Sequence, residues 1–279
     1  MLSPASDNVI VPHARFAPRL PENAPTVSVV VPTLNEAANL PHVFALIPAD
    51  VHEILVVDGR STDDTIAVAQ SLRDDVRVVL QNGKGQGNAL ACGFAAATGD
   101  IIVMIDADGS TDPREIPSFV RALMDGADFA KGTRNGHGGG SSDITWHRDL
   151  GNRALNGMVN VLFGTEYTDL CYGYNAFWAS CLSYMQIDCD GFEVETLMNV
   201  RVARAGLKVQ EVGSHENERL FGESKLNATR DGFRVLRTIL RERFRRQLKP
   251  CDVRWRPEYR ELTTAGPVAA PLQLVAATA

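Results

Sequence analysis

Apolar and polar positions along this chain alternate between two rhythms. Short runs rich in Val, Ile and Leu at Val27–Val31, Glu53–Val57, Val76–Leu80 and Ile101–Ile105 are nearly unbroken, the pattern of strands covered on both faces. Between them, Glu36–Leu46, Asp64–Leu72 and Gly87–Ala97 repeat at helical spacing. The alternation predicts an α/β body with a parallel sheet flanked by helices. A further strand is predicted at Asp128–Ala130 and a helix at Glu193–Ala205. From Asn227 to Leu248 the residues Phe233, Leu236, Ile239, Leu240, Phe244 and Leu248 mark one stripe of an amphipathic helix, with arginines on its other faces.

Five prolines before Thr26 and an Ala/Pro/Thr/Val-rich end predict flexible termini. The organisation expected is therefore a flexible 1–25, one ordered body over 26–226, a basic helix over 227–250 and a flexible tail over 251–279. No repeat and no Gly/Pro/Ser-rich linker divides the body.

Ligands of parallel sheets gather beyond the C-terminal ends of the strands. Three polar turns fall there: Pro32-Thr33-Leu34-Asn35-Glu36, Asp58-Gly59-Arg60-Ser61-Thr62-Asp63-Asp64 and Asp106-Ala107-Asp108-Gly109-Ser110. Asp106 and Asp108 emerge from a buried strand, spaced to share a divalent cation or to bind it through one carboxylate and water. A calcium loop starting at Asp108 fails, because Phe119 stands where the twelfth-position glutamate belongs. Gly83-Lys84-Gly85-Gln86-Gly87 fits neither GxGxxG nor the P-loop, so it is either a turn capping the next helix or a ligand contact.

Composition changes the picture at two points. The 279 residues are 44% hydrophobic and 22% charged, which excludes overall disorder, and a net charge of −6 argues against a nucleic-acid partner. Between Leu226 and Pro250, however, eight basic residues face two acidic ones. The helix there is either a core-packing element with a solvated basic face or a contact to an anionic membrane surface. The reversal of local charge favours the second. The five cysteines form no CxxC pair, and no apolar run reaches the length of a membrane span. The location expected is the cytoplasm, peripherally on the inner face of the membrane if the helix binds lipid.

Lys131-Gly132-Thr133-Arg134 leads into a Gly/Ser-rich stretch, Asn135–Ser142, that reads as a mobile loop, and Arg148 follows in Trp146-His147-Arg148. Two guanidiniums can hold a phosphate between them. His147 and His215 have no metal-ligand spacing around them, and no GxSxG elbow is present. Of Glu193 and Glu195, one is expected to cap a helix and the other to serve a site.

The ordered set Pro-Thr-Leu-Asn-Glu, Val-Val-Asp-Gly-Arg-Ser-Thr-Asp-Asp-Thr, Asp-Ala-Asp, Lys-Gly-Thr-Arg and Arg219-Leu-Phe-Gly222-Glu-Ser224-Lys225 resembles the family 2 glycosyltransferases of GT-A fold, over residues 26 to 248. It looks most like the polyprenyl or dolichyl phosphate mannose and glucose synthases. The resemblance implies a Rossmann-like, mostly parallel sheet and an inverting, metal-dependent transfer of a hexose from GDP-mannose or UDP-glucose to a polyprenyl phosphate. It implies nucleotide-sugar contacts at Pro32, Leu34, Glu36, Asp58, Asp106, Ala107 and Arg219, to which Lys84 is added from the glycine-rich turn. It implies Mg²⁺ or Mn²⁺ at Asp106, Asp108 and Ser110. Arg134, Arg219 and Lys225 would bind phosphates, Arg148 the acceptor phosphate, and Asp169 would lie near the sugar. Two departures stand out: Asp58-Gly59 replaces the family's adjacent aspartates, and Gly151-Asn152 replaces a small hydroxyl residue after the acceptor arginine. The alternative is a soluble relative acting on a hydroxyl acceptor, which needs a general base, with Asp169, Glu193 and Glu195 as candidates.

Overall fold

The computed structural model describes residues 18–224, 226–246 and 259–262. The strands in chain order are β1 (Val27–Thr33), β2 (Glu53–Asp58), β3 (Val76–Leu80), β4 (Ile101–Met104), β5 (Phe129–Thr133), β6 (Gly140–Ser141), β7 (Asn175–Trp178), β8 (Val209–Gly213), β9 (His215–Glu216) and β10 (Arg260–Leu262). The helices are α1 (Leu40–Phe44), α2 (Thr65–Leu72), α3 (Gly85–Ala96), α4 (Ile116–Met124), α5 (Trp146–Phe163), α6 (Leu182–Met185), α7 (Val194–Arg204) and α8 (Ala228–Phe244). Eight strands form one sheet in the order β10-β3-β2-β1-β4-β7-β5-β8. β1 to β4 are mutually parallel, as the alternation predicts, and β8 is parallel to β5. β7 runs antiparallel between β4 and β5, which makes the sheet mixed.

Alternate residues of each central strand serve two cores. Val29, Val31, Ile54 and Val56 pack under α1, α2 and α4 with Phe119 and Tyr174, whose rings stack at 4.2 Å. Val30, Leu55 and Val57 face α3, α6 and α7 on the other side. That double covering is why these strands read as continuous apolar runs. A third cluster joins α5, α7 and α8 through Val159, Val200, Val235 and Ile239.

Several expected boundaries shift. α1 does not begin at Glu36, because Pro41 lacks the N–H and blocks the turn that a helix begun there would need. Residues 18–25 are held rather than loose, with the Leu20 N–H donating to Asp50 and Ala24 packed against the core. In the expected tail, Arg260–Leu262 pairs antiparallel with β3, and Glu261 accepts from Arg77 at 2.8 Å. The flexible ends expected at 1–17 and 263–279, the phosphate contact expected at Lys225, and the end of the amphipathic stripe at Leu248 with the rest of 247–258 lie outside the described residues.

The Gly/Ser loop expected to be mobile is tied down: β6 pairs with β9, Ser141 donates to Glu216, and Ser142 meets the His215 ring at 3.0 Å. The amphipathic helix is also used differently along its length. Val235 and Ile239 enter the third core, and Glu242 is fully buried between Arg201 at 2.8 Å and Arg204 at 3.2 Å. Asp188 accepts from Arg201, Arg241 and Arg245, so part of the helix's positive charge is neutralised within the fold. Among the described residues no helix is long and apolar enough to cross a membrane.

Candidate active site

The strand ends after β1, β3 and β4 open into one cleft of about 930 Å³. Its floor is the turn after β4. Asp106 leaves the buried strand beneath it, Ala107 is buried, and Asp108 is fixed by the Ser110 N–H at 2.9 Å. Gln86, in the first turn of α3, donates to Asp106 at 3.4 Å and to Glu195 at 3.2 Å. Gly173 gives Asp106 room, since a Cβ there would lie 3.1 Å from Asp106 Oδ2.

The glycine-rich turn before α3 has a packing explanation. Gly85 has φ +83°, and a Cβ on it would stand 2.1 Å from the Asp190 carbonyl oxygen, which accepts from the Gly87 N–H at 2.9 Å. These glycines let the segment before α7 close against α3, and that contact brings Glu195 into the cleft. Lys84 lines the rim and is exposed. Of the two glutamates, Glu193 occupies the N-cap position of α7 without a side-chain capping bond, whereas Glu195 is buried and faces the site.

Negative charge is concentrated on this floor. Burial, then the nearby Asp108, Glu216 and Glu36 carboxylates, push Asp106 up to about 7, with Arg219 acting in the opposite direction. Burial, with Asp106 and Glu193 adding to it, pushes Glu195 up to about 8. An acid raised on folding keeps its proton while the unfolded chain loses it, so stability falls as pH rises from about 4.5 to about 8. Glu195→Gln is therefore expected to flatten this fall, read as the difference between melting temperatures at pH 5 and pH 8. A melting difference as steep as in the unaltered protein would refute the buried-acid assignment.

Such a floor suits a divalent cation. Asp106 has one weak donor and several like charges around it, so an added cation would relieve it. Among the described residues no three metal-ligating side chains come together, so a cation beside Asp106 and Asp108 would need further oxygen ligands, the way Mg²⁺ is commonly held between one or two carboxylates, phosphates and water. A strap over the cleft supplies the fixed cation. Arg219 bridges Asp108 at 2.9 Å and Glu36 at 3.0 Å, the Leu220 N–H donates to the Asp108 carbonyl, and Phe221 is hydrogen-bonded through its backbone to the Asn39 side chain.

Pro32, Leu34, Glu36, Lys84, Asp106, Ala107, Asp108, Ser110, Arg134, Arg148 and Arg219 all border the cleft. Two of the expected site residues lie elsewhere. Asp58 does not border the cleft: its carboxylate accepts from the Arg60 and Ser61 N–H groups at 2.8 and 2.9 Å and closes its own turn. Asp169 is also outside it, 1% exposed and paired in two places with Arg134, whose guanidinium also meets Glu216 at 3.0 Å. Arg134 thus has its charge met by two carboxylates rather than offered to a phosphate. Arg148 has a looser partner, Asp143 at 3.2 Å. Sequence reasoning missed Gln86, Glu216, Arg230 and Arg234. For Glu216 a signal existed, since it follows the C-terminal end of a parallel strand.

Comparison with known proteins follows the same lines. The family model described as "Glycosyl transferase family 2" matches residues 28–183. An uncharacterized glycosyltransferase of Mycobacterium tuberculosis is 35% identical over 207 residues, 74% of this chain and 92% of its own. The dolichol-phosphate mannosyltransferase of Pyrococcus furiosus is 32% identical over 224 residues, 77% of this chain and 63% of its own. Among solved structures, glucosyl-3-phosphoglycerate synthase from Mycobacterium tuberculosis, in complex with Mn²⁺, UDP and glucosyl-3-phosphoglycerate, is similar with a TM-score of 0.60 at 28% identity, covering 78% of this chain and 80% of that one.

Proposed function

The chain belongs to glycosyl transferase family 2 and is a glycosyltransferase, and from that premise we propose that it transfers a hexose from a nucleoside-diphosphate sugar to a polyprenyl phosphate with inversion. The observation that carries this reading is the division of one cleft: carboxylates with Arg219 at the strand ends on one side, and Arg148 on α5 at the other. The relative named a dolichol-phosphate mannosyltransferase supports the acceptor, and the structural neighbour that holds UDP with Mn²⁺ supports the donor and the metal, although its own product is glucosyl-3-phosphoglycerate.

Pro32, Leu34 and Glu36 border the place where a nucleoside would enter, with Gln81 at the end of β3 beside them. Asp106 and Asp108 would hold Mg²⁺ or Mn²⁺, which supplies Lewis-acid stabilisation of the leaving diphosphate. Arg219 can turn from Asp108 toward the same diphosphate, placing a guanidinium where negative charge grows. In the displacement an acceptor phosphate oxygen forms the bond to the anomeric carbon while the bond to the diphosphate breaks, and the nucleoside diphosphate leaves with the electron pair. That oxygen is already anionic near neutral pH, so Arg148 needs to orient it and no base is needed. Transfer to a hydroxyl is favoured by one observation, the buried Glu195 on the cleft floor, which would take the hydroxyl proton once a cation lowers its pKa.

Peripheral attachment to the cytoplasmic membrane face is part of the same reading. Phe233 and Phe244 are 66% and 84% exposed on α8, Trp146 is 72% exposed at the start of α5, and Arg237 lies on the exposed side of α8.

The test is release of nucleoside diphosphate from UDP- and GDP-sugars with Mn²⁺ or Mg²⁺, with and without a short-chain polyprenyl phosphate in anionic vesicles. Stimulation by the lipid phosphate, together with sedimentation of the protein with those vesicles, is the expected result. Metal-dependent turnover indifferent to the lipid phosphate would overturn the acceptor and favour the hydroxyl reading.

A further inference from the structure

α8 brings a second set of positive charges into the cleft. Its first turns, with Arg230, Asp231 and Arg234, form one wall, and the first turns of α5, with Arg148 and Asn152, border the same space. The two helices meet there because Leu155 and Val159 of α5 pack with Val235 and Ile239 of α8. Arg234 lies over the segment that leads to Glu195: a Cβ on Gly191 would stand 2.5 Å from Glu193 Oε2 and 2.8 Å from Arg234 Nη1, so the glycine leaves room for both side chains to approach the backbone there.

Four arginines of α8 and its C-cap fall into two pairs. Arg241 and Arg245, further along, are held by Asp188 and Glu242 as part of the fold. Among the described residues, Arg230 and Arg234 share one ion-pair partner, the buried Asp231, at 3.3 Å each, and Asp231 also accepts from the Asn227 N–H at the helix start. Two guanidiniums on one carboxylate leave positive charge on the cleft wall. Their side chains are 61% and 48% exposed, so they can turn toward a ligand without being stripped of much packing. With Arg148 they offer three forks to an oxyanion, and a phosphate monoester, with several acceptor oxygens and close to two charges, is the group that such forks match.

We propose that Arg230 and Arg234 of α8, together with Arg148 of α5, form a subsite for the phosphate monoester of the acceptor. The proposal rests on the reading of a phosphorylated acceptor above and adds which residues select it. The shared chemistry is the phosphate monoester itself, which a lipid phosphate or a small phosphorylated acid would each carry. Arg230 and Arg234 act on acceptor affinity, and the donor side of the cleft does not depend on them.

The experiment is steady-state kinetics of the full chain with a turnover-competent sugar nucleotide, varying either a short-chain polyprenyl phosphate or 3-phosphoglycerate, each beside its unphosphorylated counterpart. R230Q/R234Q is expected to raise the acceptor KM by about 10-fold or more while the donor KM stays unchanged, and R234K to recover part of the loss. Because that double variant leaves Asp231 buried without its partners, the charge-balanced R230Q/D231N/R234Q should show the same acceptor-specific rise. Arg243→Gln, exposed on the last turn of the same helix, controls for net charge and should leave the acceptor KM unchanged. The phosphorylated probe that shows the effect identifies the source as lipid or small acid. An unchanged acceptor KM in R230Q/R234Q, where the unaltered protein does use a phosphorylated acceptor, overturns the subsite alone. An equal rise in Arg243→Gln overturns it as a general charge effect. Equal use of phosphorylated and unphosphorylated acceptors by the unaltered protein overturns the phosphorylated-acceptor reading and the subsite with it.

Discussion

Asp108→Asn is expected to lower sugar-nucleotide turnover by roughly 10³-fold at saturating Mn²⁺, the scale on which a lost transition-state charge partner acts. The substitution removes one of the two carboxylates after β4 that can bind a cation jointly with a diphosphate. It also releases Arg219 from its 2.9 Å pair while leaving it the Glu36 contact at 3.0 Å, so the strap keeps an anchor. The backbone hydrogen bond from Leu220 to residue 108 does not depend on the side chain. Stability should therefore change little, because Asp108 lies in a partly exposed turn where an isosteric amide still accepts from Ser110. Activity and urea denaturation measured on the same preparation check both halves. Binding of Mn²⁺ in the presence of UDP, followed by the loss of its free-ion spectroscopic signal, should weaken in parallel. Turnover within a fewfold of the unaltered protein would remove Asp108 from the chemistry.

Leu34, Asp106, Asp108 and Arg134 share a physical property that makes them readable from sequence: they stand where a buried strand ends. A run such as Ile101–Met104 can be recognised because both faces are covered, and whatever follows it must lie at the sheet edge, so Asp106 and Asp108 are legible without coordinates. β7 is not. Asn175–Trp178 has only four residues and enters between β4 and β5 against the direction of its neighbours, a choice settled by pairing across the sheet rather than by local pattern. The same limit hid Gln86, whose place beside Asp106 and Glu195 follows from glycines that let the Asp190 segment close on α3. It also hid the division of α8, since the stripe that reads as one amphipathic face splits between a core around Ile239 and an exposed side at Phe233 and Phe244. Asp58 is the opposite case. Its acceptance from Arg60 and Ser61 is a local Asx turn, and Asp-Gly-Arg-Ser could have been read that way from sequence.

Asp169→Ala is expected to cost about 3–5 kcal/mol of stability, the usual penalty for leaving a buried charge without its partner. Arg134 and Asp169 are 6% and 1% exposed and make a two-pronged pair, with 2.7 Å from Nε and 2.9 Å from Nη2. Removing the carboxylate leaves a guanidinium out of water with Glu216 and the face of the Tyr172 ring to meet its charge. Burial alone would raise the Asp169 pKa, but the Arg134 hydrogen bonds and nearby Lys131 outweigh it and hold it below the ordinary value. A depressed carboxyl contributes stability that is present above the unfolded pKa of about 4 and is lost as pH falls through the folded one. The unaltered protein should accordingly lose stability steeply below about pH 4, and the variant should start lower and lose less there. Urea denaturation between pH 3 and pH 7 measures both. The change Arg134→Met with Asp169→Leu, made together with Glu216→Gln so that no carboxylate is left without the guanidinium, separates structure from chemistry, because replacing the charged partners together spares most of the cost that breaking the pair incurs. If the triple variant regains stability and retains turnover, this pair supports the wall under the cleft, and the phosphate chemistry belongs to Arg148, Arg219 and the α8 arginines. If Asp169→Ala keeps its stability but loses turnover, Asp169 acts on the sugar and the pairing seen here is a resting arrangement.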